Sequence, residues 1–397
     1  MNSIPEKILK MAENYRDYTS RNLSRLVQIP STSGNEKQVV LELKKMMEEV
    51  GFEEVKIDGL GNIIGHLGSG KKVLAIDAHI DTVDIGNLKN WDFNPFSGEI
   101  KEGFVLGRGS VDQKGGAAAF ITAGKILKEF GVDSNIKVYF VGSVMEEDCE
   151  GLCWKYIIEE DKINPDIVIS TEPTDLNIYR GHRGRMEIEV TFDGISAHGS
   201  VPERGKNTVY MASRLSLEIE NLNKGLKKDE FLGKGTAVVT ELVSKTPSLC
   251  AVPDYAKIHI DRRLTWGESK ETALKEVADI VDRNNSKVNL LYYEKKSYTG
   301  LKYSMEKYFP TWRLPEDHPA ILVAAEVYRS IFKNEPKIDK WNFSTNGVTI
   351  NGIYNIPVIG FGPGNEIMAH APNEKVKVDD LVKASAFYAL YPFLMQG

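Results

Sequence analysis

Cysteine is scarce in this sequence, and long apolar runs are missing. The three cysteines, Cys149, Cys153 and Cys250, are too few and odd in number for a disulfide framework, so free thiols in a reducing, cytoplasmic compartment are expected. Cys149 and Cys153 fall on an expected helix, where their spacing means packing rather than metal ligation. No apolar stretch approaches membrane-spanning length, and residues 1–7 lack the apolar core of a signal peptide, which argues against a membrane partner. Positive charge is not in excess either. The net charge of −6 disfavours nucleic acid or anionic lipid as the main partner, which leaves a small molecule as the expected ligand.

What is present is an ordinary globular composition, 42% hydrophobic and 27% charged, over 397 residues. That length exceeds what one core usually fills, so two domains are expected. The chain opens with helical patterning over 6–28 and 36–50, the second preceded by a Ser-x-x-Glu cap signal at Ser33 and Glu36. Short apolar strands follow at 54–57, 62–66, 72–78, 137–141 and 166–169. Several lack polar alternation, as expected of strands covered on both faces. Between 181 and 295 the pattern changes to strict alternation, with the element order β-α-β-β-α-β of a ferredoxin-like unit. The expected fold class is therefore α/β: a catalytic domain with a mixed central sheet (1–180 and 296–397) carrying an inserted α+β domain (181–295).

The stretch Gly107-Arg108-Gly109-Ser110-Val111-Asp112, followed by Lys114-Gly115-Gly116, places an acid in a turn where glycines let the backbone approach closely. Taken alone, Asp112 reads as a helix cap. Other buried strands, however, also run out into His or carboxylate residues: His79 and Asp81, Glu146 and Glu147, Glu172. In α/β sheets ligands gather at the carboxyl ends of strands, so these ends should converge. Of these, His79, Asp112, Glu147 and Glu172, with His370, make two imidazoles and three carboxylates, an N/O set suited to zinc or cobalt, with Asp112 the natural bridge between two ions. Paired ions polarise a carbonyl and deliver a hydroxide. Glu146, beside a ligating Glu147, is free to act as general base. The Asp81 carboxylate is placed to hold the second nitrogen of His79.

In order along the chain, His79-Ile80-Asp81-Thr82-Val83, the Gly107 to Gly116 stretch, Glu146-Glu147, Glu172-Pro173-Thr174 and His370 resemble the motifs of the family-20 metallopeptidases. These co-catalytic zinc amidohydrolases include acetylornithine deacetylase, succinyl-diaminopimelate desuccinylase and carboxypeptidase G, and the resemblance spans essentially the whole chain. It implies a phosphorylase/hydrolase-like catalytic domain, with the insert as lid and dimerisation domain, and two zinc ions per subunit, with cobalt as the other candidate. His79 and Glu172 would bind one ion, Glu147 and His370 the other, with Asp112 bridging and a cis peptide after it. It further implies His198 from the insert as oxyanion partner, often across a homodimer interface. Arg263 would clamp a substrate carboxylate, and Gly362 and Gly364 would offer it backbone amides.

Two positions depart from the family pattern. Cys250 stands where many relatives carry an asparagine, and Gln113 where an acidic or apolar residue is common, so substrate recognition does not transfer intact. The surroundings of Glu172 and His182-Arg183-Gly184 are also similar to a subgroup of hydrolases linked to selenium metabolism. The expected activity is hydrolysis of a linear amide in a small N-acyl amino acid or short peptide, by metal-bound hydroxide with Glu146 as base. Deacylase is placed first, exopeptidase and N-carbamoyl amidohydrolase after it, and a noncatalytic zinc-binding module last.

Overall fold

The apolar run at 73–76 lies inside the strand Lys72–His79, which is buried from Leu74 onwards. It pairs in parallel with Ile136–Ser143 on one side and Ile167–Ser170 on the other. The computed structural model describes residues 3–133, 135–281 and 284–395. Among them these strands form the middle of an eight-stranded sheet. Ile63–Leu67 joins it antiparallel and Val358–Gly360 parallel, so the sheet is mixed. The helix Lys114–Phe130 begins almost free of bulk, and its small residues let it lie close to the sheet. A methyl group on Gly116 would come within 2.0 Å of the Thr171 hydroxyl. Glycine is needed there because helix and strand end have no room between them.

Two expectations at the N-terminus are corrected. The stretch 6–28 is not one helix but two, Ile4–Asn14 and Arg16–Val27, broken at Tyr15. Ser33 does not cap the helix Lys37–Val50, whose N-cap is Glu36 without a side-chain cap bond. The Ser33 hydroxyl donates instead to Asp81 Oδ2 (2.6 Å). The buried carboxylate binds the hydroxyl as a donor in a charge-assisted hydrogen bond and holds it away from the helix amides from which a capping oxygen would accept.

A second sheet follows the order Thr236–Lys245, Tyr255–Leu264, Gly184–Asp193, Ser286–Leu290, and these pairs are antiparallel. With the helices Thr208–Gly225 and Lys270–Ile280 it makes the β-α-β-β-α-β arrangement. Met186, Ile188, Val190 and Phe192 point to its own core, together with Ile258, Ile260 and Val277. The second helix of this unit, which the sequence pattern sets over 269–283, has its expected end partly outside the described residues.

The chain passes between the two cores through paired short strands, Gly181–His182 against Trp312–Arg313. Here His182 is fully buried. Its Nε2 accepts from the Trp312 indole (2.8 Å) and the Thr345 amide (3.2 Å), while Nδ1 donates to the Arg183 carbonyl (2.8 Å). The ring is therefore neutral, and burial pushes its pKa down to about 4. Once unfolded it titrates near 6.5, so between pH 6.5 and 4 the unfolded chain binds the extra proton. Stability accordingly falls as pH drops through that window, by roughly 3 kcal/mol from this residue alone at the lower end. Urea titrations at pH 7, 6, 5 and 4 should show it as a steeper acid loss in the parent than in His182→Gln. Equal slopes would remove His182 from the account.

Candidate active site and metal centre

Strand register brings the site together. His79 pairs with Ser143, and Asp77 with Ser170, so three parallel strands end side by side. The segments that run on from them carry Glu146, Glu147 and Glu172 to the same edge. Opposite them the Gly107 to Asp112 turn is wrapped around one buried carboxylate, Glu374. It accepts from Gly109 N (3.0 Å), Val111 N (2.8 Å), Asp112 N (3.0 Å) and the Arg108 guanidinium (2.7 Å). The Asp112–Gln113 peptide bond is cis. Gln113 turns away from the cavity and accepts from the Thr171 hydroxyl (2.6 Å).

Asp112 is thereby set between two imidazoles. Its Oδ1 lies 3.0 Å from His79 Nε2 and its Oδ2 3.4 Å from His370 Nε2. Glu172 Oε1 is 3.6 Å from His79, and Glu147 Oε2 is 2.9 Å from His370. The donors fall into two groups, His79, Asp112 and Glu172, and Asp112, Glu147 and His370, each with its ligand atoms within 4.8 Å of one another. Asp112 is common to both. Glu146 Oε2 approaches to 3.8 Å of His79 Nε2.

So many buried acids should not coexist ionised without cations. Burial, then Asp112 and Glu147, holds the Glu172 pKa well above the carboxylate range. Burial and the neighbouring Asp112 raise Glu147 to about 7. At Asp112 burial acts the same way, but hydrogen bonds from His370 and His79 outweigh it and keep its pKa low. Burial opposes a charge on His79, yet Glu172, Glu146 and Asp112 together raise its pKa. Glu146 Oε1, Glu147 Oε1 and Glu172 Oε2 are shielded from solvent without a protein partner. Unpaired carboxylate oxygens facing two imidazoles are what a pair of divalent ions would satisfy, and the donor types suit zinc or its neighbours.

A model of the peptidase family M20/M25/M40 matches residues 75–392. The chain belongs to that family. It is 49% identical over 393 residues to the uncharacterized protein YgeY of Escherichia coli (strain K12), with 98% of each chain covered. It is 26% identical to a probable succinyl-diaminopimelate desuccinylase of Staphylococcus epidermidis, over 90% of this chain and 93% of the other. The solved structure of aminopeptidase PepT from Bacillus cereus superposes with a TM-score of 0.74 at 19% identity, covering 96% of this chain and 99% of that one, a likeness of fold. As an M20 protein the chain is a hydrolase of the metallopeptidase and amidohydrolase type, with a metal-binding cluster at its strand ends.

Within this M20 site the acidic pair is held by its backbone. Four successive amides each meet a side-chain acceptor: Val144 N to Asn62 (3.0 Å), Met145 N to Glu36 (3.2 Å), Glu146 N and Glu147 N to the two oxygens of Asp81 (3.3 and 3.1 Å). This corrects the expectation for Asp81. Its carbonyl, not its carboxylate, is within bonding distance of His79 Nδ1 (3.0 Å), and the nearer carboxylate oxygen stands 3.6 Å away. The carboxylate is spent on the Glu146-Glu147 turn and on Ser33. Sequence reading missed Asn62 and Glu36, the latter because its place before a helix imitates a cap. Glu36→Ala should lower turnover by about tenfold to a hundredfold with metal content retained, while Glu36→Gln, which keeps an acceptor, should recover most of it. Steady-state kinetics beside metal analysis checks this, and an Ala variant as fast as the parent would contradict it.

The cavity over the centre measures about 430 Å³, enough for a small molecule. Arg263 lines it, with Nε and Nη2 donating to Asp261 (2.8 and 3.2 Å). Missed by sequence reading are Glu150, Arg185, Phe343, Ser344 and Glu366 on the same walls. None of them belongs to a motif, and only the folded chain assembles them.

Gly362 and Gly364 are corrected. Neither lines the cavity, and the Gly362 amide already donates to the Thr174 hydroxyl (3.1 Å). Gly362 is small because a methyl there would meet the Thr171 and Glu172 carbonyls at 2.1 and 2.2 Å. His198 is exposed on the insert, bonded to the Ser200 hydroxyl (2.7 Å), and is absent from the cavity wall of its own chain.

Proposed function

We propose that the protein hydrolyses a linear amide bond in a small N-acyl amino acid or short peptide, using two divalent ions, zinc or cobalt, held by His79, Asp112, Glu172, Glu147 and His370. The observation that carries this reading is Asp112, one carboxylate shared by two His-and-acid groups, with the unpartnered Glu146 beside them. Bound ions of this kind supply Lewis acidity to a carbonyl and to water.

The protein's own groups do the rest. Burial, with Glu172 and Glu147 nearby, keeps the Glu146 pKa well above the carboxylate range, which suits a base that takes a proton from water and returns it to the leaving amine. Arg263 keeps Nη1 free of its Asp261 bonds and receives a substrate carboxylate. His198, exposed and remote within one chain, reaches the oxyanion of a second copy, so the enzyme works as a homodimer. Residues 181–295 serve as lid and pairing surface, and 1–180 with 296–397 as the catalytic domain. No helix among the described residues is long and apolar enough to cross a membrane, and the proposed setting is the cytosol.

The test is turnover of N-acetyl, N-succinyl and N-carbamoyl amino acids and of dipeptides by protein stripped with chelator and reloaded with zinc or cobalt. Cleavage that returns only with metal is expected. Metal-independent cleavage, or silence with two ions bound per chain, would sink the proposal.

A further inference from the structure

The segment 143–151 carries Glu146, Glu147 and Glu150, three acids that line the cavity. Its middle amides are held by Asn62, Glu36 and Asp81, all from the first fifth of the chain. Its two ends are held by a different residue. Asn346, 1% exposed, reaches both with one side chain. Its Oδ1 accepts from the Gly151 amide (2.8 Å) and the Cys153 thiol (3.1 Å), while its Nδ2 donates to Ser143 Oγ (3.3 Å) and to Asp77 Oδ2 (2.9 Å). The Gly151 amide can only donate, which fixes Oδ1 on that side and turns Nδ2 towards Asp77. The Ser143 hydroxyl also donates to Asp77, at Oδ1 (2.8 Å). Asp77 stands two residues before His79 on the same strand.

Asp77, Ser143, Cys153 and Asn346 are all buried, and none of them lines the cavity. Burying so many polar groups gains little over apolar packing of the same volume, even when each is paired. What the network secures is direction, because an amide whose donors and acceptor are all engaged sits in one orientation. That orientation ties together the strand ending in His79, the acidic turn, and the stretch 343–346, whose Phe343 and Ser344 line the cavity. The base of the clamp is itself fixed. The Thr345 amide donates to His182 (3.2 Å), and a methyl group on Gly151 would meet Thr349 Oγ1 at 2.1 Å, so the two segments lie in contact without slack.

Building on the amide-hydrolase reading, we propose that Asn346 is a positioning residue for the reaction: it grips both ends of the acidic turn against the His79 strand and sets where Glu146 and Glu147 stand. It touches no substrate and acts through the turn. A displacement of about 1 Å in a reacting group can cost on the order of a hundredfold in rate, so a clamp of this kind is felt in kcat.

The pair Asp77 and Asn346 can be exchanged with its main bonds kept. In Asp77→Asn/Asn346→Asp the new amide donates to the new carboxylate and accepts from Ser143, and the carboxylate accepts from Gly151 and Cys153. Asn346→Asp alone sets two carboxylates face to face. On the metal-loaded enzyme Asn346→Asp should lower kcat by about a hundredfold, with KM changed by less than about threefold and metal content retained. The exchange should bring kcat back to within about fivefold of the parent, the non-additivity expected of residues in direct contact. Should Asn346→Asp fail to fold, Asp77→Asn carries the test, since it replaces an acceptor with a donor, and the exchange should be the faster of the two.

Deuterium uptake over 144–152, followed on metal-free protein, needs neither turnover nor ions. It should rise in Asn346→Asp and return towards the parent in the exchange. That pattern without turnover in any form, the parent included, would uphold the clamp and discard the hydrolase reading. Three results would overturn the clamp and leave the hydrolase reading standing: Asn346→Asp as fast as the parent, a lowered urea midpoint with kcat intact, or an exchange no faster than the single variant.

Discussion

Glu146→Gln is expected to lower kcat by about a thousandfold, within the range that general-base catalysis contributes, while both metals stay bound. The amide is nearly isosteric, so the turn held by Asp81 and Glu36 should persist. What disappears is a group that can take a proton and give it back. Glu146 is buried, and burial with its acidic neighbours raises its pKa, so the parent carboxylate holds a transferred proton well. KM should change little, because Glu146 contributes more to the transition state than to ground-state binding. Metal analysis beside steady-state kinetics decides the matter. An active variant with two ions would move the base elsewhere, and an inactive one without metal would make Glu146 a ligand.

Glu374→Ala should cost roughly 3–5 kcal/mol of stability, because it strips the counter-charge from a buried guanidinium. Arg108 is 2% exposed, and its remaining protein acceptors are the Ala371 and His370 carbonyls at 3.2 and 3.3 Å. The same change frees the amides of Gly109, Val111 and Asp112 at once. Asp112 then loses the frame that sets it between His79 and His370. The expected result is a lowered urea midpoint together with weaker binding of both ions, since both share Asp112. Glu374→Gln keeps one acceptor oxygen but turns an NH2 donor towards the other pair of donors, and should fall between the two. A stable Ala variant with full metal content would show that the turn holds itself.

Much of this was legible along the chain. The strands around 73–76 and 137–141 betray themselves by apolar runs without alternation. The second sheet does so by the reverse, as in Tyr255–Leu264, where buried residues alternate throughout. His79, Asp112, Glu147, Glu172 and His370 are each tied to a strand end or a glycine turn, and local pattern therefore finds them. Where side-chain partners decided the outcome, sequence reading went astray. Ser33 and Glu36 spell a helix cap, yet both face the buried end of the sheet, where Asp81 and the Met145 amide are the nearer partners. Gly362 reads along the chain as backbone offered to a ligand, but its amide is closed off by Thr174, a residue 188 positions earlier.

The sequence by itself determined the fold class, the order of elements and the chemical types gathered at the strand ends, because periodicity, turn residues and the carboxylate and imidazole inventory are local properties. Tertiary contacts alone set Asp112 between two imidazoles, let Glu374 hold its turn, and leave one shielded carboxylate oxygen on each of Glu146, Glu147 and Glu172 without a protein partner. Those facts depend on which groups meet across long separations and on which are left without a partner once water is excluded, and no local pattern encodes either.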